Sequence, residues 1–366
     1  MKKLAIIMLG ALTLGGFLFA QGGKDGASAK TSGSAEAKDL TGAGATFPAV
    51  LYSKWFSEYQ KLTGVQINYQ AIGSGGGIKS ISDMTVDFGA SDGPMTDEQL
   101  AAAKGGEIVH IPAAMGAVVP TYNIPKLANS QDPLKFTAES LSGIYLGDIV
   151  KWNDPKLVAD NPSLKDINKD IVVAHRSDGS GTTNIWTSYL TAVSDGWAKK
   201  VGAGNSVQWP VGLGGKGNEG VAGVVKQTPY SIGYVELAYA NQNKLPAGQV
   251  KNSAGKWITP TMKSTSLAAQ GVTLPDDMRV KLVNSSNPDA FPIAGFTWLL
   301  AYTKQTNAPK ARTLTRMIWW AIHDGQSYNE ALDYAPIPAD AVKKAETLIK
   351  KIMINGKPAL PEDLSK

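Results

Sequence analysis

Val65-Gln-Ile-Asn-Tyr-Gln-Ala-Ile72 runs straight into Gly73-Ser-Gly-Gly-Gly77, and this junction decides the fold. The first run alternates in polarity and carries β-branched and aromatic residues, so it reads as a strand. The glycines that follow read as a turn, with a short helix expected from about Ile78. Before the junction, Pro48 stands at a first helical position, Leu51, Trp55 and Tyr59 recur at helical spacing, and Gly64 ends the pattern. After it come a strand ending Val86-Asp-Phe-Gly-Ala-Ser-Asp92, a helix announced by the box Thr96-Asp-Glu-Gln99, and strands expected at 108–112 and 117–122. Helix, strand, glycine joint and helix in succession are the grammar of α/β units.

The same grammar returns further on. Ile171-Val-Val-Ala174 leads into Asp178-Gly-Ser-Gly-Thr-Thr183 and a helix through Ile185, Trp186 and Tyr189. A further joint, Gly212-Leu-Gly-Gly-Lys-Gly-Asn-Glu-Gly220, precedes a segment over 221–226. The chain closes with a strand at 296–302 and two long helical patterns, 309–323 and 340–352, the second with a solvated face of Lys343, Lys344, Lys350 and Lys351. No internal repeat of fixed period is present.

At 366 residues, 43% apolar and 18% charged, the chain has the length and composition of two medium domains. Met1-Lys-Lys3 followed by an apolar run to Ala20 reads as a secretory signal peptide, because the run contains Gly10, Gly15 and Gly16 and is too short to span a bilayer. Cleavage is placed after Ala20, although Ala27-Ser-Ala29 and Ala35-Glu-Ala37 also fit the small-x-small pattern. Residues 21–38 read as a flexible leader of Gly, Ser, Ala and Lys, and the fold is expected to start at Asp39. No cysteine occurs, which excludes disulfides, thiolate chemistry and a lipid on an amino-terminal cysteine. Loss of Lys2 and Lys3 takes the formal charge from +5 to +3, and the remaining lysines form no basic block, so nucleic acid is not the expected partner.

Three joints combine glycine with hydroxyl side chains: Gly44-Ala-Thr46-Phe47-Pro48, Gly73-Ser74-Gly-Gly-Gly77 and Asp178-Gly-Ser180-Gly181-Thr182. A helix that starts just after a strand offers unpaired N–H groups and a positive dipole end, so an anion is stabilised there without a lysine. None of the joints has the lysine of a nucleotide-binding P-loop or the spaced glycines of a dinucleotide fold. Arg176 stands beside the third joint as a planar, permanently charged donor, and Asp178 is placed to orient it by an ion pair. Asp92 is the unexpected element, since a carboxylate opposes an anion unless that anion carries a proton to give it. Hydrogen phosphate carries one and sulfate at neutral pH does not. The alternative for Asp92 is a turn or helix cap before Gly93-Pro94. Catalysis has little support: His110, His175 and His323 have no metal-ligand spacing, and Gly179-Ser180-Gly181 resembles only part of a nucleophile elbow, which needs Gly-x-Ser-x-Gly.

Together these segments resemble the periplasmic phosphate-binding proteins of high-affinity phosphate ABC transporters, from about Leu40 to the carboxyl end. The resemblance rests on Thr41-Gly-Ala-Gly-Ala-Thr-Phe-Pro48, Tyr69-Gln-Ala-Ile-Gly-Ser-Gly-Gly-Gly-Ile78, Val86-Asp-Phe-Gly-Ala-Ser-Asp92, Arg176-Ser-Asp-Gly-Ser-Gly-Thr182, and Trp209-Pro-Val-Gly-Leu-Gly-Gly-Lys-Gly-Asn218 with Ile232-Gly-Tyr-Val-Glu236. It implies an α/β, two-lobed periplasmic binding fold with a ligand cleft between the lobes. Residues 39–115 and 289–366 would form the first lobe and 116–288 the second, with crossings near 113–117 and 287–291.

It also implies phosphate contacts from Thr46, the N–H of Phe47, Ser74, Asp92 as proton acceptor, Arg176, Ser180, Gly181 and Thr182, with Asp178 holding Arg176. His175 stands where some members carry a second arginine, and Gly75 where others carry serine. The expected protein is a non-enzymatic periplasmic receptor, monomeric by family default, with no cofactor, that delivers phosphate to the permease subunits of an ABC importer. The competing readings are a sulfate or molybdate receptor, a secreted phosphatase using Ser180, and an adhesion or scaffold protein that retains only the fold.

Overall fold

Strand follows helix along the chain because buried positions alternate between the two periods that the sequence displays. The computed structural model describes residues 36–128 and 130–364. The expected signal peptide and the leader as far as residue 35 lie outside the described residues. Eight strands form the main sheet: β1 (Asp39–Gly44), β2 (Gln66–Ala71), β3 (Phe88–Ser91), β4 (Ile108–Asn123), β5 (Val172–Arg176), β6 (Leu213–Gly215), β7 (Ser231–Glu236) and β8 (Ala294–Tyr302). Their order across the sheet is β2-β1-β3-β8-β4-β7-β5-β6. Pairings of β1 with β2 and β3, and of β5 with β6 and β7, are parallel, while β8 and β4 run antiparallel to their neighbours.

The sheet has two halves that share one strand. From Ile108 to Ala117, β4 pairs with β8 beside β3, and from Val118 to Asn123 it pairs with β7 instead. One half of the sheet is β2-β1-β3-β8 and the other β7-β5-β6, with β4 running through both. The sequence suggests two strands here, 108–112 and 117–122, because Pro112 and Gly116 read as breakers. Both are accommodated. Pro112 lies opposite Trp298 at a register shift that leaves Ala113 as an extra residue, where a ladder N–H is dispensable. At Gly116 the ring of Phe47 occupies the space a side chain would need.

Helix α1 (Ala49–Thr63) buries Leu51, Tyr52, Trp55, Phe56 and Tyr59 against the first lobe and stops at Gly64, whose φ of 75° is left-handed. The indole of Trp55 donates to the Gly325 carbonyl at 2.7 Å. Helix α2 (Ser74–Ser82) begins four residues before the expected start at Ile78, so the glycine run is its first turn rather than a preceding loop. The reason is contact: Gly77 packs on the backbone of Ala43, Gly44 and Ala90, and no larger residue fits there. Helices α3 (Gly181–Val193) and α4 (Gly217–Gln227) start at the two later joints, and α5 (Ala308–Ile322) and α6 (Ala339–Lys350) close the chain. The box at Thr96 is formed with Gln99 as read, although its helix is short (Asp97–Ala101).

Candidate functional site: an anion cradle at four strand-to-helix joints

The amino ends of α1, α2, α3 and α4 converge where β1, β3, β5 and β6 end. At the first joint, between β1 and α1, Thr46 and Phe47 are buried. Tyr239 donates to the Thr46 carbonyl and Tyr334 to the Phe47 carbonyl, each at 2.6 Å. The carbonyls of Thr46 and Phe47 are thereby engaged, while the Ala45 N–H is taken by the Ala90 carbonyl at 3.0 Å. The Thr46 hydroxyl oxygen accepts from Nδ2 of Asn218 at 2.8 Å and from the Asn218 N–H at 3.2 Å.

At the second joint Ser74 is the first residue of α2, made possible by Gly73 at φ 87°. Its hydroxyl donates to Oδ2 of Asp92 at 3.3 Å and accepts from the Asp92 N–H at 3.1 Å. At the third joint Ser180 caps α3, accepting from the Thr183 N–H at 3.0 Å. The N–H groups of Gly181 and Thr182 are those a helix start leaves unpaired. Gly181 abuts Ser74 and Asp92 so closely that a side chain there would overlap both. The second and third joints also bond directly, Gly75 N–H to the Gly179 carbonyl at 2.8 Å.

Arg176, at the end of β5, has a buried side chain that meets Asp178 in a fork: Nε to Oδ1 at 2.7 Å and Nη2 to Oδ2 at 2.6 Å. Its Nη1 reaches Oγ1 of Thr182 at 3.4 Å. Asp178 also accepts from the Gly217 N–H at 3.1 Å, which ties the arginine to the start of α4. The structure therefore brings Thr46, Ser74, Asp92, Arg176, Ser180, Gly181 and Thr182 into one connected buried cluster, with Phe47 adjoining through the first joint and Asp178 clamping the guanidinium.

The electrostatics of the two carboxylates differ. Burial raises Asp92 to about 7, against the opposing pull of the Thr297 hydroxyl, the Arg176 charge and Ser74, and its Oδ1 has no hydrogen-bond partner among the described residues. Burial also pushes Asp178 upward, but Arg176 and the Gly217 N–H outweigh it, and the carboxyl lies below its ordinary value.

Asn218 was a joint residue without an assigned role in the sequence, yet it is fully buried and its Nδ2 bridges the Thr46 and Thr182 hydroxyls, the latter at 3.1 Å. The signal was its position in a fourth glycine joint of the same grammar as the others. Tyr234, whose hydroxyl meets Oγ1 of Thr183 at 2.6 Å and accepts from the Arg176 N–H at 3.2 Å, is likewise part of the frame. Thr297 carried a fainter signal, a polar residue within an otherwise apolar strand.

The histidines take other roles. His175 stacks on Trp209 at 4.8 Å with its Nδ1 on the Arg176 carbonyl, His323 meets Glu346 at 3.0 Å, and buried His110 accepts from the Met95 N–H, its charge suppressed to a pKa of about 3 by burial. Among the described residues none of the three bonds Ser180, whose hydroxyl accepts from the Thr183 N–H. Among the described residues no group of three or more acidic or histidine side chains is placed to hold a metal ion, and no helix is long and apolar enough to cross a membrane.

The cradle can offer hydroxyl, backbone and guanidinium donors to a compact oxyanion, together with one acceptor. A model of the PBP superfamily domain matches residues 28–318. The phosphate-binding protein PstS of Haemophilus influenzae is 46% identical over 84% of this chain and 91% of its own. That of Pasteurella multocida is 42% identical, over 85% and 90%. A solved structure of a high-affinity periplasmic phosphate-binding protein bound with phosphate superposes with a TM-score of 0.69 at 20% identity, covering 84% of this chain and 93% of the other, a likeness of fold. With two lobes sharing β4, four helix starts facing one cradle, and these relatives matched over most of their length, the chain belongs to the PstS family of phosphate-binding proteins within the PBP superfamily.

Proposed function

We propose that this chain is an extracytoplasmic receptor that binds inorganic phosphate between its lobes and delivers it to the permease of an ABC importer. The observation that carries the reading is Asp92, a buried carboxylate set among donors, with one oxygen unpartnered and a pKa of about 7. Thr46, the Phe47 N–H, Ser74, Arg176, Ser180, Gly181 and Thr182 supply donors to phosphate oxygens, and Asp92 takes the phosphate proton. Since Asp92 and the ligand share one proton near neutrality, hydrogen phosphate and dihydrogen phosphate both suit the site. Sulfate brings no proton and leaves two negative groups opposed in a dry site.

The lobes are assigned as residues 39–115 with 289–366 and residues 116–288, and ligand bridging them stabilises closure that the permease reads. The protein acts in the periplasm, after removal of the signal peptide, as a monomer and without catalysing a reaction. Support for that last point is the binding-protein names of its relatives.

The deciding experiment is calorimetric titration of phosphate-stripped mature protein with phosphate and then sulfate at neutral pH. One-to-one phosphate binding is expected, with sulfate heat far weaker and fading as pH rises above the Asp92 transition. Sulfate binding of similar strength, or hydrolysis of a chromogenic phosphate ester that Ser180→Ala abolishes, overturns the reading.

A further inference from the structure

Three buried polar atoms around Asp92 lack hydrogen-bond partners: Oδ1 of Asp92 itself, the Thr297 hydroxyl on β8 and the Tyr52 hydroxyl on α1. All three residues are at most 2% exposed. Their proximity follows from the sheet register. Strand β8 pairs antiparallel with β3, Trp298 opposite Ser91 and Leu299 opposite Ala90, so the next position along sets Thr297 opposite Asp92. Directly opposed residues bring their Cβ atoms to about 5 Å. The register shift on the other edge of β8 falls at the same place, between Thr297 and Trp298, and such shifts re-aim side chains near sites.

The electrostatics agree with this placement. The Thr297 hydroxyl acts against the burial that raises Asp92, and it acts against the burial that raises Tyr52. Burial keeps Tyr52 protonated at every physiological pH, so Tyr52 can only be the donor at its end of the chain. A threonine hydroxyl has one proton and spare lone pairs. The only order of donation these limits allow runs from Tyr52 to Thr297 and from Thr297 to the Asp92 carboxylate. Donors of this kind tighten when a ligand fixes the acceptor.

The remaining groups facing Asp92 divide simply. Ser74 donates to it and Arg176 attracts its charge, while the ionised forms of Tyr52, Tyr69, Tyr239, Tyr334 and Glu236 would oppose it. Burial pushes each of the five above its ordinary value, which keeps the four tyrosines neutral and biases Glu236 toward its acid form. Since Arg176 is already committed to Asp178, the Thr297 hydroxyl is the one neutral donor besides Ser74 that favours the ionised carboxylate.

We infer that Thr297, backed by Tyr52, is a positioning residue that holds Asp92 in its proton-accepting form and thereby sets how sharply the site separates phosphate from sulfate. The inference rests on the phosphate reading above. A protonated Asp92 can donate to sulfate, so whatever shifts Asp92 toward its acid form admits sulfate.

The test compares the mature wild-type chain with Thr297→Val, Thr297→Ser and Tyr52→Phe, titrating each with phosphate and with sulfate from about pH 5 to about pH 9. In the wild type, sulfate binding should emerge only as pH falls below the Asp92 transition. In Thr297→Val the onset of sulfate binding should move to higher pH, and the phosphate-to-sulfate preference at neutral pH should fall roughly tenfold. Thr297→Ser should restore the wild-type profile, and Tyr52→Phe should shift it in the same direction as valine by less. An unchanged sulfate onset in a Thr297→Val protein that still binds phosphate overturns the inference and leaves the receptor reading standing. So does a serine variant that behaves like valine, which would make the effect one of packing. Absence of phosphate binding in the wild type overturns both. If Thr297→Val does not fold, Tyr52→Phe decides by the same onset.

Discussion

Asp92 and Asp178 are the two carboxylates of the cradle, one from each half of the sheet, and the structure treats them oppositely. Asp178 receives a forked arginine and a backbone N–H and is held ionised. Asp92 is buried more deeply, has only hydroxyls at hand and titrates near 7. One arginine serves both regions, and its geometry commits it to Asp178. The lesson is that a site can carry a full positive charge and still leave a neighbouring carboxylate short of compensation, free to act as a proton gauge.

The largest expected effect comes from breaking the compensated side. Arg176→Ala removes the charged donor and strands Asp178, so phosphate binding should be lost in calorimetry and the unfolding free energy should drop by about 3–5 kcal/mol in urea titrations. Next is Asp92→Asn, which replaces the acceptor with an amide that also donates. The preference for phosphate over sulfate at neutral pH should fall by roughly ten- to a hundredfold, read by competition between the two anions. Retention of full sulfate exclusion in this variant would show that the gauge lies elsewhere.

A third comparison uses pH. Asp92 binds its proton more tightly in the folded chain than in the unfolded one, so it favours folding below its unfolded pKa, and that contribution is lost as pH rises toward about 7. Asp178 works the other way, stabilising above its ordinary pKa and losing that contribution as acid protonates it. Between about pH 4 and pH 7 the wild type should therefore lose stability through Asp92, and Asp92→Asn should show a flatter profile in urea midpoints taken across that window. The smallest effect marks the baseline. Lys156→Ala breaks an exposed pair with Glu139 and should leave the urea midpoint and anion binding unchanged.

Much of the site was legible because its grammar is local. The glycine joints, the hydroxyls that follow them, and Arg176 two residues from Asp178 are all statements about neighbours in sequence. What escaped was set by distance along the chain. Asn218 meets Thr46 across 172 positions, and Thr297 falls opposite Asp92 only by extension of a strand register that no local pattern encodes. Two element boundaries also misled for a physical reason. The glycines at 75–77 looked like a turn, although they are the close-packed first turn of α2, and Pro112 looked like a strand end, although an adjacent bulge absorbs it.

The bonds that join the two halves of the cradle are a dial set apart from the groups that face the anion. Gly75 donates to the Gly179 carbonyl, and Asn218 and Tyr239 reach Thr46. Bonds of that kind are worth about 1 kcal/mol each, so one gained or lost rescales the balance between joined and parted halves roughly fivefold. Drift at Gly75, Asn218 or Tyr239 would thus retune capture while Asp92, Arg176 and the hydroxyls around them stayed the same.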